Sequence, residues 1–96
     1  MKNKEEVKMA LCQGRHEIPE AVDGAVFGNS LNPLDLEGMQ GTVAAKLAGV
    51  TTLNLYVTGL SVALVEVINF CHANGVVLTL WHFDRETGSY YPQKVR

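Results

Sequence analysis

The stretch from Leu53 to Phe83 constrains the fold more than any other part of the chain. Leu53-Asn54-Leu55-Tyr56-Val57 alternates apolar and mixed residues, with β-branched and aromatic content, and stops at Thr58-Gly59, as a strand does. From Leu60 to Ala73 the chain is almost wholly apolar, with Glu66 as its single charge. That length predicts a helix, which Asn74-Gly75 ends. Val76 to Phe83 predicts the next strand. Two strands joined by a helix run parallel through a right-handed crossover. Beyond them, Asp84 to Gly88 reads as a turn and Ser89 to Val95 as a returning strand. It is an edge strand, because Pro92 has no N–H for a ladder.

Upstream, residues 1–6 read as a flexible lead-in, and Val7 to Cys12 as a short buried strand bounded by Gly14 and Pro19. Ile18 to Leu31 admits two readings: a helical turn opening at Pro19, and a small edge strand at Ala25-Val26-Phe27. Leu36, Met39, Val43 and Leu47 share one helical face, with Asp35 as N-terminal cap and Gly49 as stop. Gly38 and Gly41 weaken that helix by ~1 kcal/mol each, a cost that close packing would offset. The elements run strand, helix, strand, helix, strand, strand. The expected fold is a single α/β domain over 1–96: a small Rossmann-like, mostly parallel sheet with two main helices and a C-terminal antiparallel hairpin.

Composition narrows the functions. The chain is 47% hydrophobic and 19% charged with a net charge of −2, the balance of a packed domain. No basic stripe offers a track for extended nucleic acid. Cys12 and Cys71 form no CxxC pair and read as small core residues, and the three histidines lack metal-ligand spacing, so neither a metal nor a cofactor is expected. The charged start is no signal peptide, and no apolar run reaches a membrane span; a cytoplasmic protein is expected. The nearly all-apolar second helix needs cover on more than one side, which a second copy in a homodimer would supply.

Ligands of open parallel sheets sit at the carboxyl ends of the strands. That rule selects Gln13-Gly14-Arg15-His16-Glu17, Thr58-Gly59-Leu60-Ser61 and His82-Phe83-Asp84. At the second, Gly59 permits close backbone approach, the helix that opens at Leu60 presents unpaired N–H groups, and Thr58 and Ser61 add hydroxyls, a combination suited to an anion. The plainer reading is that Thr58 or Ser61 caps the helix. In the first segment Arg15 can bind phosphate, His16 can act as a general acid or base, and Glu17 can orient His16 or meet a ribose hydroxyl. The plainer reading there is a solvated loop. His72 near a helix end and His82 in a strand read as structural. Neither GxGxxG nor a P-loop is present.

The segment LNLYVTGLSVALVEVINFCHANGVVLTLWHFDRETGSYYPQKV, with its Thr58-Gly59 turn between strand and helix, resembles the core of the CRISPR-associated Rossmann fold domains and the related ring nucleases. The strand ending in Gln13-Gly14-Arg15-His16 is similar to that family's other ligand-facing loop. The resemblance implies a homodimer that binds a cyclic oligonucleotide messenger across its two-fold axis, in antiviral defence or a phage's answer to it. Thr58, Gly59 and Ser61 would then contact the ligand, and Arg15 or His16 would assist metal-independent phosphodiester cleavage or simply bind. A protein-interaction domain without a small ligand, docking through the apolar helix, is the remaining alternative.

Overall fold

The computed structural model describes residues 6–14, 17–28, 31–58 and 60–95. They form five strands and two helices in the order β1 (Glu6–Cys12), β2 (Ala25–Phe27), α1 (Leu36–Lys46), β3 (Thr52–Tyr56), α2 (Ser61–Asn74), β4 (Val77–Asp84) and β5 (Ser89–Lys94). One sheet holds all five strands in the order β2-β1-β3-β4-β5. The first four are parallel, and β5 returns antiparallel to β4, pairing Trp81 with Pro92 and Phe83 with Tyr90. The expected α/β architecture is therefore present, and the edge-strand reading of Ala25-Val26-Phe27 is borne out as β2. β2 stands between β1 and α1 in sequence, so α1 carries the chain from β2 over β1 to β3.

The alternation in each strand sorts side chains onto two faces. On one, Val7, Met9 and Leu11 of β1, Leu53 and Leu55 of β3, and Leu78 and Leu80 of β4 meet Met39, Val43 and Leu47 from the α1 region and Ala63, Val67 and Cys71 of α2. Both helices lie on this face because both crossovers run in the same direction across the sheet. α2 buries a single stripe, Ala63, Val67 and Cys71, at spacings of four, and leaves Val65 half exposed.

Local chemistry explains the helix ends. Asp35 caps α1, its carboxylate accepting from the Gly38 N–H at 2.9 Å. A Cβ on Gly38 would collide with that carboxylate, whereas a Cβ on Gly41 would meet nothing within 4 Å. Gly41 thus answers no packing demand, contrary to the sequence expectation. Leu36 is also 47% exposed, so the buried stripe of α1 begins at Met39. α2 ends on Gly75 in the left-handed region, φ 67°.

The link from β1 to β2 differs from the expectation as well. No helical turn forms at Pro19. Ala21 N–H donates to Ile18 O and Gly24 N–H to Ala21 O, two successive turns, before Gly24 (φ 96°) leads into β2. β2 lies on the opposite side of β1 from β3, so a right-handed connection to it crosses the other face of the sheet. Residues 17–24 take that path. Among the described residues they supply the cover that a helix gives elsewhere.

Candidate functional site

In this strand order the crossover direction reverses between β1 and β3, which makes their carboxyl ends the switch point where α/β sheets hold ligands. Thr58 joins the two ends. Its hydroxyl accepts from the Cys12 N–H at 3.1 Å and donates to the Cys12 carbonyl at 3.3 Å. A side chain here continues the β1–β3 ladder after the backbone register Ala10–Tyr56 has run out. Burial pushes the Cys12 thiol above its ordinary value, with the Thr58 hydrogen bond acting in the opposite direction, so the thiol is held protonated beside the rim.

That use of Thr58 decides the capping question. α2 begins at Ser61 behind its N-cap Leu60, and among the described residues the cap position makes no side-chain hydrogen bond to the first turn. Leu64 N–H is the first to find a helical partner, at Leu60 O, 3.2 Å. The N–H groups of Ser61, Val62 and Ala63 precede it and carry the partial positive charge of the helix start. The first turn holds no acidic residue. The capping role expected for Thr58 or Ser61 is therefore absent, because the Thr58 hydroxyl is engaged across the strands.

Beside this rim, residues 13, 14 and 17–24 and the sheet line an open cleft of about 820 Å³. Ala10 and Cys12 of β1 and Ala25 of β2 form its floor; Gln13, Gly14, Glu17 and Pro19 stand around it. The structure thus groups Gln13, Gly14 and Glu17 at the cleft, and brings Thr58 to the same rim through Cys12. Leu60 and Ser61 start α2 beyond Thr58 and do not line the cleft. Arg15, His16 and Gly59 lie outside the described residues. His82 belongs elsewhere: its Nε2 is 2.8 Å from Gln93 Oε1 and its ring packs on Tyr91 (5.4 Å), the structural role expected of it.

An aromatic group adjoins the cleft, and sequence reasoning missed it. Tyr56 and Trp81 stack with ring planes 14° apart and centroids at 5.8 Å. Tyr90 meets Tyr56 edge-on at 5.0 Å, and Phe83 meets Tyr90 at 5.3 Å. Asn54 fixes Trp81, accepting from its indole N–H at 3.2 Å, and itself donates to Glu6 at 3.0 Å. Burial, then the Glu20 carboxylate, raises the phenol pKa of both Tyr56 and Tyr90, with each ring's proton held more tightly than usual. The missed signal was parity: Trp81 and Phe83 alternate along β4.

Among the described residues no group of His, Cys, Asp and Glu could hold a metal ion, and no helix is long and apolar enough to cross a membrane. Compared with protein families, curated proteins and solved structures, the chain matches none.

Proposed function

We propose that this chain is a nucleotide-binding domain whose ligand lies on the rim where β1 and β3 end. The observation that carries the reading is the start of α2: three backbone N–H groups without a side-chain cap, at the switch point, beside a cleft of about 820 Å³. A phosphate would accept from Ser61, Val62 and Ala63. The ribose would lie along the rim, with Glu17 available to its hydroxyls. Thr58 acts as a positioning residue that ties the two strand ends together.

The resemblance of Leu53–Val95 to the CRISPR-associated Rossmann fold makes a cyclic oligonucleotide messenger the first ligand to test, held by a cytoplasmic homodimer. Val62 and Val65, 39% and 52% exposed on α2, support such a second copy. Cleavage of the messenger rests on Arg15 and His16, so binding is the activity proposed.

Titration calorimetry against mononucleotides, cyclic dinucleotides and cyclic oligoadenylates tests the reading. Binding is expected for at least one of them. Ser61→Asp should weaken it at least tenfold, about 1.4 kcal/mol, while leaving the melting temperature unchanged or slightly higher, because an acid suits a helix start. No heat and no thermal shift across the panel would refute the proposal.

A further inference from the structure

We propose that Trp81, Phe83 and Tyr90 form a stacking platform for the aromatic base of the nucleotide, on the face of the sheet opposite the helices. This rests on the nucleotide reading above and adds the part of the ligand that the helix start cannot recognise.

Two observations carry it. The first is position. The β3–β4 register pairs Tyr56 with Trp81, and Val57 N–H donates to Trp81 O at 3.0 Å. Two residues further, the register sets Thr58 opposite Phe83, so the rings adjoin the rim where the phosphate would sit, one strand spacing of ~4.8 Å away. The second is kind. The core is mostly aliphatic, with Phe27 buried in it and Phe70 packed against it as separate rings, whereas this face gathers four rings that contact one another. Exposed rings on adjacent strands of an uncovered sheet are the way bases are held by stacking, with every base offering a π-face.

The free area favours a small planar occupant over a second copy of the chain. Tyr56 is 5% exposed, Trp81 and Tyr90 are partly covered, and Phe83 is 50% exposed. With each ring side chain worth 150–250 Å² when fully exposed, the uncovered aromatic surface is on the order of 200 Å². A stable dimer needs roughly 800 Å² from each partner. Lys8, Asn54, Thr79 and Lys94 form a polar row across the same face and bound the patch.

Trp81 is the only tryptophan in the chain, so its fluorescence reports on the platform alone. Nucleotides, the matching nucleosides and ribose 5-phosphate are titrated in parallel, by fluorescence and by calorimetry. The platform predicts that nucleotides and nucleosides quench Trp81 and that ribose 5-phosphate does not. Phe83→Ala and the apolar control Phe83→Leu should each weaken nucleotide binding about 5- to 150-fold, with ribose 5-phosphate binding unchanged. Nucleotide heat without quenching, and unaffected by either variant, would overturn the platform and leave the rim reading standing. Nucleoside quenching with no gain from the phosphate would support the platform and overturn the rim reading. Loss of both signals, or association of the chain that covers Trp81 without ligand, overturns the platform.

Discussion

One sheet presents two faces of different character. The helix side is aliphatic, with Leu53, Leu55 and Leu78 fully buried under α1 and α2. The other side is aromatic and partly open, covered at β1 and β2 by residues 17–24. The difference follows from connectivity. Crossovers that move one way across the sheet stack their helices on one face, and the single connection that moves the other way must serve the opposite face. Here that connection makes turns instead of a helix, and turns shield less surface. The face packed under the helices and the more open aromatic face are thereby separated.

The largest effect expected from this contrast is on stability. Leu55→Ala should cost about 2–5 kcal/mol, because it opens a cavity in the helix-side core. Phe83→Ala should stay within about 0.5 kcal/mol, as for an exposed substitution. Urea denaturation of the two variants measures both, and equal losses would dissolve the distinction between the faces. The clasp between β1 and β3 gives the next effect. Thr58→Val keeps the shape but leaves the Cys12 N–H and carbonyl without their hydroxyl partner, an expected loss of about 1–2 kcal/mol. Slower-exchanging Cys12 in the variant than in the parent, by amide hydrogen exchange, would contradict the clasp.

The smallest effect concerns ionisation on the aromatic face. Tyr56 and Tyr90 lose their phenol protons above the ordinary value of 10.0, through burial first and Glu20 second. The folded chain then binds more protons than the unfolded one as pH rises past about 10, so stability should fall in that range. Removing the carboxylate with Glu20→Gln should move both tyrosine midpoints partway down, by ultraviolet titration of tyrosinate. An unmoved titration would place Glu20 away from the rings.

Much of the helix side was legible in the sequence. Strand alternation at Leu53-Asn54-Leu55, the apolar run of α2 and the cap at Asp35 are local signals, and each appears in the fold as expected. The rim was legible in outline, since the carboxyl-end rule selected both Gln13-Gly14 and Thr58. What escaped depends on register. Tyr56, Trp81 and Tyr90 are far apart in sequence and become neighbours only once β3, β4 and β5 are aligned. The role of Thr58 escaped for the same reason, because its partner, Cys12, is 46 residues away. Pro19 misled because proline opens a helical turn and a plain turn equally well.

Chemical-shift mapping of the isotope-labelled chain during nucleotide titration tests the separation of faces most directly. The account predicts shifts at Gln13, Gly14, Ser61 and Val62 and at the Trp81 indole, with Val43, Leu47 and Val67 in the helix-side core unmoved. Shifts confined to the exposed surfaces of α1 and α2, with the Trp81 indole silent, would contradict it.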